Sequence, residues 1–461
     1  MADKTVVLYP SLGVGHLKPM AQLAKAILRR GGVAVTIAVV DPPEKDAVLA
    51  AALADLAAAS PSITVRLLSI PPSSCASKEK ERSHSLMFIL NALRAANPAL
   101  REFLRSQAPP VDAIVLDMFC VDALDVAAEL AIPAYIFYPS AAGDLAVYLQ
   151  LRACGTALDF AGVPPIRAHD MPETMKDRES EVARVRMQQI ARMPEAAGIL
   201  VNSFEWLESR ALNAMREGHC LPGRTTPRIY CVGPLVDGGG AGENGERHAC
   251  LEWLDRQPTR SVVFLCFGSL GTFSAAQLKE TARGLERSGH RFLWAVRSSP
   301  KEQGKSNSPE PELGALLPDG FLERTKDRGL VLKNWAPQTD VLRHEAVGAF
   351  VTHCGWNSAL EGVVSGVPMI CWPLYAEQRL NKVHMVEEMK VGVAVDGYDE
   401  ELVTAAEVEA KVRLVMESEE GRKLRDRMAT AKEMAADAIR EGGSSDVELG
   451  EFLWGLGKID L

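Results

Sequence analysis

Ten short apolar runs, spaced out by longer amphipathic stretches, constrain this 461-residue chain more than any other feature. Residues 5–10, 33–40, 113–119, 134–138 and 198–202 are rich in Val, Ile and aromatic side chains and end at turn residues, as buried strands do. Between them lie helical stretches such as 18–30, closed by Gly31 and Gly32. Strands alternating with helices predict a parallel sheet covered on both faces. The run from Val236 to Gly245 holds five glycines, fits neither helix nor strand and reads as a linker. Alternation then restarts, with strands expected at 261–267, 291–297, 330–334, 349–354 and 368–373. The predicted fold class is α/β with two domains, 1–235 and 248–440, joined by a linker at 236–247. Residues 298–318 carry four prolines and read as a mobile loop. The tail from 404 is helical in pattern. Its last piece, 441–461, has an apolar side that must be buried, and is expected to pack back on the first domain.

Composition removes several classes of partner. A formal net charge of -9 argues against nucleic acid or an anionic membrane, both of which need a basic surface. Nine cysteines without a C-x-x-C pair read as reduced thiols of a cytoplasmic protein. No H-E-x-x-H or D-x-D occurs, so no metal is expected. The apolar stretch at 131–143 is shorter than the ~20 residues a spanning helix needs and contains two prolines. The apolar run near the N-terminus is too short for a signal peptide. A soluble protein with no membrane span is expected.

The first candidate site follows the first strand. Ser11-Leu12-Gly13-Val14-Gly15-His16-Leu17-Lys18-Pro19 resembles a dinucleotide fingerprint until the third glycine, where Lys18 stands. That disfavours a dehydrogenase. Pro19 suits a first helical turn and places His16 on the strand-to-helix loop. With a usual pKa of ~6.5, a histidine there suits a general base; a cap of the loop fits the residues equally. Asp117 ends a neighbouring strand and could hold the other ring nitrogen, as carboxylates do in hydrolase triads. Asp122 and Asp125 are rival acids, and Asp117 could instead cap the next helix, with its place at the strand's end putting it modestly ahead. No G-x-S-x-G elbow accompanies them.

The second candidate site spans Trp335 to Gln378. Trp335 follows a strand and offers an aromatic face, worth ~1–3 kcal/mol to a stacked base. His353, Asn357 and Ser358 bracket Gly355 at an expected helix N-terminus, where N–H groups and the helix dipole suit a diphosphate. Glu361 lies one turn further on the same face. Ser269, after the 261–267 strand, is expected to add a further phosphate contact.

These 44 residues, from Trp335-Ala336-Pro337-Gln338 through Thr352-His353-Cys354-Gly355-Trp356-Asn357-Ser358 to Glu377-Gln378, closely resemble the signature box of plant UDP-dependent glycosyltransferases of family 1. The Gly-x-Gly-His opening and the Phe267-Gly268-Ser269 turn fall in the same order as in that family. The resemblance implies a GT-B fold, with two facing Rossmann-like domains and a cleft between them, and an inverting mechanism. It makes His16 the catalytic base and Asp117 its orienting partner. It assigns UDP to Ser269, Trp335, Ala336, Gln338, His353, Gly355, Asn357, Ser358 and Glu361, with Glu361 on the ribose hydroxyls. It assigns the sugar to Trp356, Glu377 and Gln378. His353 and fixed dipoles would then offset the donor's charge without a metal.

Gln378 at the end of the box implies glucose, and Trp356 speaks against a glucuronate donor. Glu377 departs from the commoner aspartate. The acceptor is expected to be a small hydrophobic phenolic, such as a flavonoid, lined by Leu12, Phe88, Phe119 and Tyr138. Glycosylation of carbon or nitrogen is the alternative chemistry, and a non-catalytic UDP-sugar-binding protein the alternative class. The family implies a monomer and no cofactor beyond the UDP-sugar co-substrate.

Overall fold

A computed structural model describes residues 4–41, 47–70, 86–151, 159–238, 247–297 and 310–456. Residues 239–246 of the expected linker, 298–309 of the expected mobile loop and 457–461 of the terminal helix lie outside that set. The rest of that loop includes one helical turn, Leu313–Leu316.

The first sheet has seven strands: β1 Lys4–Tyr9, β2 Val33–Asp41, β3 Thr64–Ser69, β4 Ala113–Asp117, β5 Ala134–Tyr138, β6 Gly198–Val201 and β7 Arg228–Cys231. They run in the order β3-β2-β1-β4-β5-β6-β7. Every pairing is parallel. The second sheet has six: β8 Val262–Cys266, β9 Arg291–Val296, β10 Gly329–Lys333, β11 Val347–Thr352, β12 Met369–Cys371 and β13 Gly392–Ala394. Their order is β10-β9-β8-β11-β12-β13, again all parallel.

Strands β3, β7 and β13 were not anticipated from the sequence, and all three are edge strands. An edge strand is covered less completely, so it needs no continuous apolar run. In β3, Thr64, Arg66, Leu67 and Ser69 are exposed. Central β4 and β11, by contrast, are buried throughout.

One expectation about the first site is corrected. The first helix runs Val14–Arg30, so His16 stands in its first turn and not on a preceding loop, and Pro19 lies inside the helix. Gly13, at φ 92°, makes the turn out of β1 in a backbone region that glycine enters without strain. Its carbonyl accepts from the N–H groups of His16 and Leu17, both at 3.2 Å.

The chain divides into two compact units. The first comprises Met1–Pro165, Asp177–Asp237 and Asp437–Leu461; the second comprises Ile166–Lys176 and Gly238–Ala436. The segment Ile166–Lys176 therefore groups with the second sheet although it precedes residue 235. Its anchor is Asp170, 1% exposed, bound to the Lys382 ammonium at 2.9 Å and to the Tyr398 hydroxyl.

In the first unit the terminal helix Ser444–Gly455 closes one face of the sheet. Phe452 is fully buried, edge-on to Tyr135 at 4.9 Å and Tyr230 at 5.9 Å. Lys4 donates to the Leu453 carbonyl at 2.7 Å. In the second unit Phe264 stacks on Phe350 at 5.4 Å, and Trp294 is buried within the same sheet. No helix among the described residues is long and apolar enough to cross a membrane.

Candidate active site

Open parallel sheets bind ligands where the strand order reverses, beyond the carboxyl ends of the strands. In the first sheet that reversal falls between β1 and β4, which pair Tyr9 with Leu116. His16 follows β1 and Asp117 ends β4, so the two residues flank the reversal. His16 Nδ1 lies 2.8 Å from Asp117 Oδ2. The carboxylate is fully buried and the imidazole 25% exposed. The other carboxylate oxygen, Oδ1, accepts from the Phe119 N–H at 3.0 Å, which holds its orientation.

The rival acids are engaged elsewhere. Asp122 receives Arg94 at 2.8 Å and Gln189 at 2.9 Å. Asp125 is 71% exposed and pairs with Arg192. With Asp117 accepting at Nδ1, the imidazole keeps its proton there and its basic lone pair on Nε2. Of the residues expected around an acceptor, Phe119 lies against His16, with ring centroids 5.0 Å apart. Leu12, Phe88 and Phe119 each keep part of their surface exposed, whereas Tyr138 is fully buried and presents none.

The second sheet reverses between β8 and β11. Gly268 and Ser269 follow β8, and the helix Trp356–Ser365 follows β11. Gly355 is that helix's N-cap, and no side chain caps it. Its first N–H groups and dipole therefore face outward from the switch point, as a bound anion requires. Three loops here contain a non-glycine residue in the left-handed region: Asn334 at φ 64°, Cys354 at φ 65° and Ala376 at φ 53°. Each stands immediately before an expected donor residue, namely Trp335, Gly355 and Glu377. Strained backbone of this kind persists where the surrounding structure enforces it, and it concentrates at binding sites.

Trp335 is 59% exposed, its ring edge-on to His248 at 5.8 Å, so its indole face is not spent on the core. Ala336 beside it is buried. Gln338, Ser358 and Glu361 form one cluster. The Gln338 amide donates to the Ser358 hydroxyl at 2.8 Å and to the Glu361 carboxylate at 2.5 Å.

His353 differs from its expected role in one respect. It is 6% exposed, and burial pulls its pKa down to about 4. The side chain is therefore neutral near pH 7. It can offer a diphosphate an N–H donor but no positive charge. A Cβ at either Gly268 or Gly355 would lie 2.5 Å from its Nε2, so both glycines are needed for the ring to fit. Among the described residues its buried Nδ1 has no hydrogen-bond partner.

The expected sugar residues are not equally presented. Trp356 is 3% exposed, which leaves the backbone at the helix start as the part it can offer. Glu377 is partly exposed. Gln378 is buried, its carbonyl oxygen accepting from the N–H groups of Leu374 and Tyr375 at 2.9 Å each, which shapes the turn carrying Glu377.

Two supporting residues escaped the sequence reading. Arg297 donates to the Ser269 carbonyl and, at 2.6 Å, to the Asn334 carbonyl, joining the loop of the expected phosphate contact to that of Trp335. A charge at the very end of an apolar strand was the available signal. Asn381 donates to the Cys354 carbonyl at 3.0 Å and ties the helix of Gln378 to the His353–Gly355 turn. Its position one helical turn after Gln378 was the clue.

The family described as UDP-glucoronosyl and UDP-glucosyl transferase has a sequence model that matches residues 229–426. The anthocyanidin 5,3-O-glucosyltransferase of a Rosa hybrid cultivar is 41% identical over 98% of this chain and 99% of its own length. The chain belongs to this family. A phloretin 2'-O-glucosyltransferase of Pyrus communis is 40% identical over 97% of this chain and 98% of its own. Among solved structures, Phytolacca americana UGT2, complexed with UDP-2fluoro-glucose and pterostilbene, matches with a TM-score of 0.87 and 33% identity. That match covers 99% of this chain and all of the other. The protein is thus a UDP-glycosyltransferase of the plant type with the GT-B fold, and it transfers sugar from a UDP-sugar donor. The resemblance read from Trp335–Gln378 identified the family correctly, and the dehydrogenase and pure binding-protein readings fall away.

Proposed function

We propose that the protein is an inverting, metal-independent O-glucosyltransferase acting on phenolic acceptors of the flavonoid type. The observation that carries this reading is the 2.8 Å contact between His16 Nδ1 and the fully buried Asp117 carboxylate. His16 Nε2 takes the proton of the acceptor hydroxyl. The acceptor oxygen forms a bond to the anomeric carbon as the bond from that carbon to the UDP oxygen breaks, and UDP leaves with the electron pair. Attack from the face opposite UDP turns an α-linked donor into a β-linked product. Asp117 holds the tautomer and stabilises the imidazolium as it forms.

Ser269, Trp335, Ala336, Gln338, His353, Gly355, Asn357, Ser358 and Glu361 hold UDP in this reading, and Trp356, Glu377 and Gln378 the glucose. Neutral donors and the helix dipole at Gly355 face the diphosphate, so the departing charge is met without a metal. Two relatives are named for glucosyl transfer to an anthocyanidin and to phloretin, which supports a phenolic oxygen as the nucleophile. The partly exposed Leu12, Phe88 and Phe119 suit a flat aromatic acceptor. We infer a cytoplasmic monomer needing only the UDP-sugar as co-substrate.

The test incubates the protein and His16→Ala with UDP-glucose, EDTA and a panel including phloretin and cyanidin. Mass spectrometry detects added hexose, and the anomeric proton coupling gives the linkage. The expected result is a β-glucoside from the parent and a rate about 10²–10⁴-fold lower from the variant, the usual worth of a general base. Undiminished product from the variant would remove His16 as base. An α-linked product would overturn inversion.

A further inference from the structure

Behind the His16–Asp117 pair lies a buried cation that the proposed chemistry does not use. Arg186, on the helix Glu181–Arg192, is 2% exposed. Its Nη1 donates to the Met118 carbonyl at 3.2 Å and to the Gln189 side-chain oxygen at 2.7 Å. Gln189 in turn donates to the Phe119 carbonyl at 3.3 Å and to Asp122. The helix therefore grips both residues that follow Asp117. The guanidinium also lies over the Phe119 ring, 4.4 Å from its centroid, and Phe119 touches the His16 ring.

Among the described residues, Nε and Nη2 of Arg186 make no hydrogen bond, and no carboxylate forms an ion pair with it. A buried charge without a counterion is costly, and an apolar residue of similar volume is often as stable or more so. A buried cation set beside the turn that carries Asp117 calls for a functional explanation.

We propose that Arg186 is a positioning residue for the His16–Asp117 pair, clamping the turn that carries Asp117 and supplying the unpaired positive charge that faces both residues. The proposal rests on His16 being the base. Burial pulls the guanidinium's pKa below its ordinary value, while Tyr148, Tyr138, Asp117 and Asp122 pull it up. Arginine stays charged through such shifts.

Asp117 contacts His16 directly, and Arg186 and His16 both lie against the Phe119 ring. Asp122 is offset by Arg94. Cys120, whose thiol is held protonated by burial, sits on the same turn. Lys18 on the same helix is exposed to solvent. A nearby cation disfavours the imidazolium, so Arg186 lowers the pH at which His16 takes up a proton.

The test compares the parent with Arg186→Met and Arg186→Lys. Histidine labelled at Cε1 with ¹³C reports the His16 titration by NMR, its resonance assigned by its loss in His16→Ala. Glucosyl transfer to phloretin and the thermal midpoint are measured in parallel. The expected result for Arg186→Met is an unchanged or higher thermal midpoint, a His16 titration raised by about half a pH unit or more, and a kcat lowered about tenfold or more. Arg186→Lys should keep the parent's His16 titration midpoint. A His16 midpoint unmoved or lowered in the Met variant, or raised equally in both variants, would overturn the proposal. If His16→Ala retained full transfer, the base reading would fail instead, and the His16 midpoint would still show whether the cation acts on the imidazole.

Discussion

A histidine beside a diphosphate site is easily counted as positive charge. The burial of His353 changes what it contributes, because the imidazolium would lie against the Gly268 and Gly355 backbones and, among the described residues, has no carboxylate paired with it. Its pKa of about 4 in the fold, against about 6.5 in an unfolded chain, has a signed consequence. Between those values the unfolded state binds the proton and the folded state does not, so stability falls as pH drops through the window. The pH-dependent part of the stability difference from a His353→Asn variant is expected to be absent above about pH 7 and to grow toward roughly 3 kcal/mol near pH 4. Urea unfolding of the two proteins at several pH values measures it, and equal pH dependence would contradict a buried neutral histidine. The same scale explains Asp117. Three acids stand within nine residues of sequence, and only partner choice in space separates the one that meets His16 from those taken by Arg94 and Arg192.

At the scale of elements, both candidate sites lie where strand meets helix or turn. The sequence pattern located these junctions well, because an apolar run that ends at a glycine shows where a strand stops. The local backbone was less legible. Cys354 and Ala376 adopt left-handed conformations that their residue types do not announce, whereas Asn334 is of a type enriched there. Gly268 is the opposite case, since φ 72° and the nearby imidazole both demand glycine. Gly268→Ala would strain the turn and push its Cβ into His353. UDP affinity should fall by about 1–3 kcal/mol, on the scale of an overpacked site. Isothermal titration with UDP checks this, and unchanged affinity would show that the β8 turn plays no part in donor binding. Edge strands β3, β7 and β13 escaped the pattern because an edge position tolerates exposed polar residues.

For the whole molecule, two parallel sheets each build a core from their own helices, and the last helix serves the first of them. Phe452 sits between Tyr135 and Tyr230, more than 200 residues away in sequence. Phe452→Ala should destabilise the first unit by about 3–5 kcal/mol, the usual cost of emptying a buried aromatic site. UDP affinity, which the proposed function assigns to residues of the second unit, should be retained. Denaturant unfolding together with UDP titration separates the two effects, and a loss below about 1 kcal/mol would mean that the terminal helix is not part of the core. The strap Ile166–Lys176 shows the limit of reading units along the chain, since Asp170 is claimed by Lys382 and Tyr398.

The α/β class, the two-sheet organisation, the family and the residue types of both candidate sites were legible along the chain. These follow from local periodicity and from fixed residue spacings, which neighbours along the chain carry. Tertiary structure alone decided which aspartate meets His16, that His353 is neutral, that Trp335 is exposed while Trp356 is not, and that Arg186 stands buried behind Asp117. Each of those depends on solvent access and on partners brought together from distant strands. Burial and charge pairing act through space, so no stretch of sequence reports them.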